Sequence, residues 1–339
     1  MDLKETIRWL RDAKTVRAVF GDRILERYKE LQTKLHPDRY PEAEKKDAET
    51  AFKLLGEWYT KAFAPIATIH SPTRTYEVAH RHATGDLCDV HLCKDGVLIK
   101  VLRDARHNAL MTREFDVTTA INKAADGLTY AHYFPTPIES FALKEKGHRV
   151  RTANAFKDPQ LDNLYTLEQV ISKFPKGIDP RDLAWMLNRM LTAVGFAHLQ
   201  GVVHGAVLPC HVLIRADNHG LVLVDWTQSV DIKQPLKLIS KKYREWYPKE
   251  VFDKQPATPG TDIYMVARCA IALLRGSTTA NIPIPGQLPA RLRNFLEACL
   301  IEAPHMRPQD AWQLHEDLGT TLKTLYGPRT FRPFPMMTA

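Results

Sequence analysis

The tripeptide His36-Pro37-Asp38, set between two short amphipathic runs, constrains the fold of this chain more than any other feature. Before it, Ile24, Tyr28, Leu31 and Leu35 recur at helical spacing, while Arg23, Arg27 and Lys34 occupy another stripe of the same helix. After it, Ala48, Ala51, Phe52, Leu55 and Tyr59 repeat the apolar pattern, so two helices are expected to bury their apolar faces against each other. Pro37 cannot continue a helix and biases His36 away from helical angles, which makes the polar triplet a stiff loop.

The run from Tyr28 to Arg39 resembles the second helix and loop of a J domain, the module of the DnaJ family. That resemblance implies that the basic helix and the His-Pro-Asp loop dock on a DnaK-type chaperone and trigger its ATP hydrolysis. Arg27, Lys34, His36, Pro37 and Asp38 are the contact residues it implies. The aromatic-rich first helix of that family is not recognisable here. Ile7, Leu10 and the stretch from Val16 to Phe20 are the positions able to supply one.

At 339 residues the chain has room for two domains, one small and one of ordinary enzyme size. No run approaches the roughly 18 apolar residues of a membrane span. The start, Met1-Asp2-Leu3-Lys4-Glu5, lacks the basic-then-apolar pattern of a secretion signal. Five cysteines without a close CxxC pair argue for a reducing compartment, so a cytoplasmic location is expected. The net charge of +8 is diffuse: residues 1 to 70 hold 14 Lys and Arg against 12 Asp and Glu, and the remainder 33 against 27. Neither basic cluster, Lys144 to Arg151 or Lys241 to Arg244, is interleaved with the aromatic pattern of an RNA-binding sheet, so nucleic acid is not the expected partner.

Pro65, Ser71 and Pro72 punctuate the chain, which places a linker at 64 to 74 between a domain at 1 to 63 and a second at 75 to 326. Strand-like segments follow at Thr75 to His80, Leu87 to Cys93 and Gly96 to Leu102, then a helix near Thr112 to Ala125 and a strand pair near Ile138 to Leu143 and Val150 to Ala155. Long helical stretches come later, notably Pro180 to Gln200. The Pro-rich tail from 327 to 339 reads as extended and mobile.

Within 75 to 326 several positions resemble a eukaryotic-type protein kinase, in the family's order. Lys100 looks like the strand lysine that grips ATP phosphates, and Glu114 like its ion-pair partner. His204-Gly205-Ala206 through His211 stands at the catalytic loop, and Asp225-Trp226-Thr227 at the metal-binding DFG. Tyr247-Pro248-Lys249-Glu250 resembles APE; Asp262 matches the aspartate that braces the catalytic loop, and Arg307 the partner of the APE glutamate. The expected fold is a small all-α helical-hairpin J-like domain followed by an α+β bilobal kinase-like domain.

Phosphoryl transfer in that family needs a carboxylate to accept the substrate's proton and a second metal ligand beside it. Here Ala206 replaces the carboxylate, a loss of about 10²- to 10⁴-fold in rate. His211 replaces the asparagine and prefers softer metals than magnesium. Of three loop glycines only Gly85 is kept, Asp86 and Asp89 bring negative charge near the phosphates, and Leu208 replaces a common lysine. Gly85, Lys100, Glu114 and Asp225 are what the resemblance implies for holding ATP, with Asp225 on one magnesium ion. Cys210 and His211 are expected on opposite sides of an extended segment, against a metal cluster with His204. The expected function is a co-chaperone that recruits a DnaK-type chaperone, with a pseudokinase domain for an unidentified client. The alternative is an atypical kinase, or a small-molecule phosphotransferase, whose HGD loop the His204-Gly205-Ala206 run resembles.

Overall fold

A computed structural model describes residues 2–13, 16–21, 24–62, 67–145, 147, 149–161 and 164–336 of the chain. Arg23 of the expected basic stripe, and residues 64–66 of the expected linker, lie outside the described residues. The chain divides into two compact units. One comprises residues 1–70 with 75–80 and 93–95, and the other residues 71–74, 81–92 and 96–339.

The first unit carries helices α1 (Leu3–Asp12), α2 (Val16–Phe20), α3 (Ile24–Leu35) and α4 (Glu42–Ala62). Asp2 caps α1 by accepting from the backbone N–H groups of Lys4 and Glu5. Leu3, Ile7, Leu10, Val19, Phe20, Leu31, Leu35, Ala48, Ala51 and Leu55 form its buried core. Ile7 and Leu10 are part of that core, and Trp58 Nε1 donates to the Leu10 carbonyl at 2.7 Å to tie α4 to α1. Between α3 and α4, Pro37–Arg39 makes a single 3₁₀ turn. Tyr28 stacks on Tyr59 with centroids 3.8 Å apart, and His36 meets Phe52 edge-on at 5.5 Å, so the chain runs back along itself. The last carbonyls of α3 are satisfied from beyond the turn: Arg39 donates to Thr33 O and the Tyr40 hydroxyl to Lys34 O. Strand β1 (Ala67–His70), inside the segment expected as a linker, pairs antiparallel with β2 (Thr75–Thr84), His70 opposite Thr75.

Strands β3 (Cys88–Cys93, its last residue counted with the first unit), β4 (Val97–Leu102), β5 (Pro137–Leu143) and β6 (Arg151–Lys157) pair antiparallel in the order β3-β4-β6-β5. Lys100 faces Val90 on one side and Asn154 on the other. Helix α5 (Asn108–Ala124) starts a turn earlier than its apolar pattern suggests, because Asp104 caps a 3₁₀ turn at Ala105–His107 that leads into it. Short strands β7 (Leu164–Thr166), β9 (Val212–Arg215) and β10 (Leu221–Leu223) form a small sheet in the order β10-β9-β7; β8 (Val202–Val203) pairs with β11 (Val230–Asp231).

Helices α6 (Leu167–Lys173), α7 (Pro180–Leu199), α8 (Lys249–Phe252), α9 (Pro259–Arg275), α10 (Ala290–Cys299) and α11 (Ala311–Tyr326) supply the rest. The core of the second unit centres on α7 and α9, through Leu183, Met186, Met190 and Val194 on one and Ile263, Val266, Ala270 and Leu273 on the other. Pro180 and Pro259 each open their helix at a position where a missing N–H is harmless. Gly276 ends α9 at φ 62°, with a Cβ there only 2.3 Å from Phe174 O, so both conformation and space require glycine.

The tail departs from expectation. Phe334 and Met336 are buried in the core, Lys173 Nζ donates to Met336 O at 2.7 Å, and His219 Nε2 donates to Arg332 O at 2.7 Å. Arg332 also lies 3.6 Å from Asp179 and from Asp182. The apolar side chain of Phe334 packs on Phe174 at the end of α6 and on Trp185 of α7, which fixes the segment there. Among the described residues no helix is long and apolar enough to cross a membrane.

Candidate functional site

The kinase-like positions converge on Lys100. Its Nζ donates to Glu114 Oε1 and to Asp225 Oδ1, each at 2.7 Å, and all three side chains are largely buried. Burial works against the ammonium charge, yet the Asp225 and Glu114 carboxylates outweigh it and lift the Lys100 pKa above the ordinary lysine value. Burial likewise pushes Glu114 up, against the pull of Lys100. Glu114 is fixed from three sides: besides Lys100 it accepts from Trp226 N at 3.2 Å and Asn154 Nδ2 at 3.1 Å. Asn154 was not singled out by the sequence; its place opposite Lys100 in the β4–β6 register is what brings it there.

Asp225 sits at φ 62° and ψ 71°, a left-handed conformation that costs a non-glycine residue about 1–2 kcal/mol. Its carboxylate explains how that is held. Oδ1 accepts from Lys100 and from the Thr227 hydroxyl, and Oδ2 lies 3.3 Å from His211 Nε2. Burial opposes its charge, but Lys100 and His211 hold its pKa well below the usual carboxylate range. Trp226 is fully buried and packs edge-on against His204 at 4.5 Å, with Phe134 at 5.7 Å.

The catalytic-loop segment is built around Asp262, whose Oδ2 accepts from His204 N and Oδ1 from Gly205 N, both at 2.8 Å, while His198 Nε2 donates to Oδ2. His204 Nδ1 accepts from Ala206 N, so its Nε2 carries the proton and donates to Val224 O at 3.1 Å. Burial pushes its pKa down to about 4. Gly205 adopts φ +71°, and a Cβ there would meet Leu236 Cδ2 at 2.4 Å. Ala206 and Leu208 are fully buried.

Cys210 and His211 require a correction. They lie in a turn, not on an extended strand, and the Cys210 sulfur acts on the His211 ring. Burial disfavours the charged imidazole, but Cys210 and Asp225 together raise the His211 pKa well above the ordinary value. Its Nδ1 lies 2.9 Å from Ala206 O and its Nε2 3.3 Å from Asp225 Oδ2.

The loop between β2 and β3 is tied down at both ends. Arg103 donates to the carbonyls of Gly85 and Asp86 and pairs with Asp89 at 3.3 Å. The Asp86 carboxylate accepts from the Ser240 hydroxyl at 2.6 Å and from Lys241 N at 2.9 Å. Asp86 of the loop and Asp89 of β3 thus both have partners in the protein.

The donor set does not fit a magnesium–nucleotide. Magnesium is held by oxygen ligands at about 2.1 Å in near-ideal octahedral geometry. Asp225 already accepts two hydrogen bonds on Oδ1, from Lys100 and Thr227, and an imidazole, its Nε2 3.3 Å from Oδ2, stands where the resemblance places the second metal ligand. No group of three or more His, Cys, Asp or Glu side chains arranged to hold a metal occurs among the described residues.

The His36-Pro37-Asp38 turn is solvent-facing: the His36 side chain is 49% exposed and that of Asp38 80%. Arg27 and Lys34 both reach Glu30, at 2.6 and 2.7 Å, so Glu30 sits within the expected basic face and has its pKa lowered by these contacts.

No family model matches the chain, and no curated protein matches it. Among solved structures, one described as the crystal structure of the BubR1 kinase domain is similar, at 18% sequence identity and a TM-score of 0.56. The match covers 77% of this chain and 84% of that one. A likeness at this identity carries the fold alone: α+β, with an antiparallel sheet and helices arranged as in a protein-kinase domain.

Proposed function

We propose that this protein is a J-domain co-chaperone or adaptor that recruits and stimulates a DnaK-type chaperone in the cytoplasm, with its kinase-like unit used for binding a client. The observation that carries the reading is the His36-Pro37-Asp38 turn, presented to solvent at the joint of two helices packed through Leu31, Leu35, Ala48, Ala51 and Leu55. Arg27 and Lys34 are half-exposed on the helix leading into it. Their pairs with Glu30 are weak, salt-screened contacts that an acidic partner surface displaces easily. Steering by these charges raises the on-rate more than the final affinity, so stimulation falls as salt rises. The kinase-like unit contributes binding because Ala206 offers no proton acceptor.

The test is stimulation of a DnaK-type ATPase by the full chain. The parent is expected to stimulate and His36→Gln to fail. Equal stimulation by both, or none by the parent, removes the reading. One observation favours a second reading, an atypical ATP-dependent kinase or small-molecule phosphotransferase: the Lys100–Glu114 pair at 2.7 Å. Label transfer from ATP, lost in both Lys100→Ala and Asp225→Ala, is the result that would favour it.

A further inference from the structure

We propose that the surface holding the tail, made by α6, the start of α7 and the β9–β10 turn, is a peptide-docking groove. Residues 331–336 of the chain occupy it until a client segment of the same chemistry displaces them. That chemistry is a basic residue, an aromatic two positions later and an aliphatic side chain two positions after that. The docking site rests on the reading of the kinase-like unit as a client-binding module and leaves the co-chaperone half untouched.

The tail is held as a peptide ligand is held. Burial alternates along it: Phe334 and Met336 are buried and Arg332 half-buried, whereas Phe331, Pro333 and Pro335 are exposed. Phe334 meets Phe174 and Trp185, and Trp185 is itself stacked on His219 with ring centroids 4.2 Å apart. The groove's hydrogen bonds from Lys173 and His219 go to tail carbonyls, those of Met336 and Arg332. Any peptide offers such carbonyls. Sequence preference therefore lies with the three inward side chains, and Asp179 and Asp182 make the groove acidic where Arg332 lies. Pro333 and Pro335 narrow the freedom of the unbound segment, which lowers the cost of docking it.

The acidic end is poorly used by its present occupant. Arg332 stays 3.6 Å from both carboxylates, beyond hydrogen-bond reach, and Asp179 is already engaged by Arg181. Asp182 Oδ1, Trp185 Nε1 and Arg332 Nη1 are buried with no hydrogen-bond partner among the described residues. Asp182 is only 7% exposed and Trp185 only 5%, so water does not make up the loss. Proteins rarely leave such atoms unpaired, because each gives up its hydration for nothing. Asp182 and Trp185 stand three residues apart on α7, on one face of the helix. A client arginine gripping Asp182 with two N–H groups, and a client carbonyl at Trp185 Nε1, would satisfy what the tail leaves open. The tail holds its place because it is tethered, which gives it a high effective concentration.

The probe is a fluorescein-labelled synthetic peptide of residues 327–339, titrated with the full chain and read by fluorescence polarisation. The parent, its groove filled in cis, is expected to bind weakly. Full-chain Phe334→Ala is expected to bind at least about ten-fold tighter, because apparent affinity follows the fraction of molecules whose groove is open. Full-chain Arg332→Ala guards against a folding failure of that variant and is expected to shift the same way by a smaller factor. Adding Asp182→Asn to Phe334→Ala is expected to weaken binding again. A probe with alanine at 331, 333 and 335 is expected to bind within about ten-fold of the unaltered one, and a probe carrying Arg332→Glu to lose binding. Equal affinity for parent and Phe334→Ala overturns the proposal, since the peptide then binds elsewhere. So does binding by neither, full binding of the Arg332→Glu probe, or loss of the triple-alanine probe. Chaperone stimulation on the same preparations is read separately. Peptide failure with stimulation intact removes the groove alone, and the converse removes the co-chaperone reading alone.

Discussion

Arg307 grips the Glu250 carboxylate with both terminal nitrogens, Nη1 to Oε1 at 2.7 Å and Nη2 to Oε2 at 3.4 Å, and both side chains are almost wholly buried. The guanidinium also donates to the carbonyls of Gly260, Ile301 and Glu302, which joins the start of α9 to the segment after α10. Replacing Glu250 by Gln leaves a buried cation without its counter-charge, and is expected to cost about 3–5 kcal/mol. Pairing it with Arg307→Met should return part of that loss, because no lone charge then remains. Urea midpoints for the two single variants and the double variant, read as a mutant cycle, check both statements.

The tail is a structural element of the second unit. Phe334 lies 6.0 Å from Trp185 and 5.4 Å from Phe174, and is 5% exposed. Phe334→Ala is expected to destabilise by about 3 kcal/mol, the usual cost of emptying a packed aromatic site. The near-ultraviolet signal of Trp185 should change with it. A variant as stable as the parent would mean that the segment does not hold this position in solution.

His204 and His211 predict opposite pH limbs. His204 has a folded pKa near 4 against an ordinary 6.5. The unfolded chain therefore takes up a proton at this position below about pH 6.5, while the folded chain does not until about pH 4. Stability falls across that window on acidification, by about 3 kcal/mol in full. His211 has a raised folded pKa, so its contribution is complete below pH 6.5 and is lost as pH climbs through the folded value. His204→Gln should flatten the acid limb and leave the alkaline one. Urea midpoints taken across pH 4 to 8 read both limbs.

How much of this was legible in the sequence depends on the kind of contact. Apolar periodicity marked α3, α4 and α7, because burial of one face is a local property of the chain. Pairs such as Lys100 with Glu114, and Glu250 with Arg307, were legible through the order of a resembling family's motifs. The Asp86–Ser240 bond was not, since 154 positions separate the two and neither residue type announces a partner. Cys210 beside His211 was misplaced because period-two alternation was assumed where the chain turns. The tail was misread on its prolines, which set backbone shape but do not say what Phe334 will pack on.

If the His36-Pro37-Asp38 turn docks a chaperone, as proposed, it should allow a loss of function without a loss of fold. Asp38 makes no buried contact: its carboxylate is 80% exposed, 3.6 Å from His36 Nδ1, and its backbone N–H alone reaches that ring, at 3.4 Å. Asp38→Asn keeps shape and backbone, so its effect on stability is expected to stay within about 0.5 kcal/mol. His36→Gln also removes the edge contact with Phe52, worth about 0.5–1.5 kcal/mol. Asp38→Asn is therefore the cleaner probe of chaperone stimulation: activity should drop while the unfolding midpoint stays put. A fall in both would assign the turn a role in holding α3 against α4, and would leave the docking reading to rest on Arg27 and Lys34.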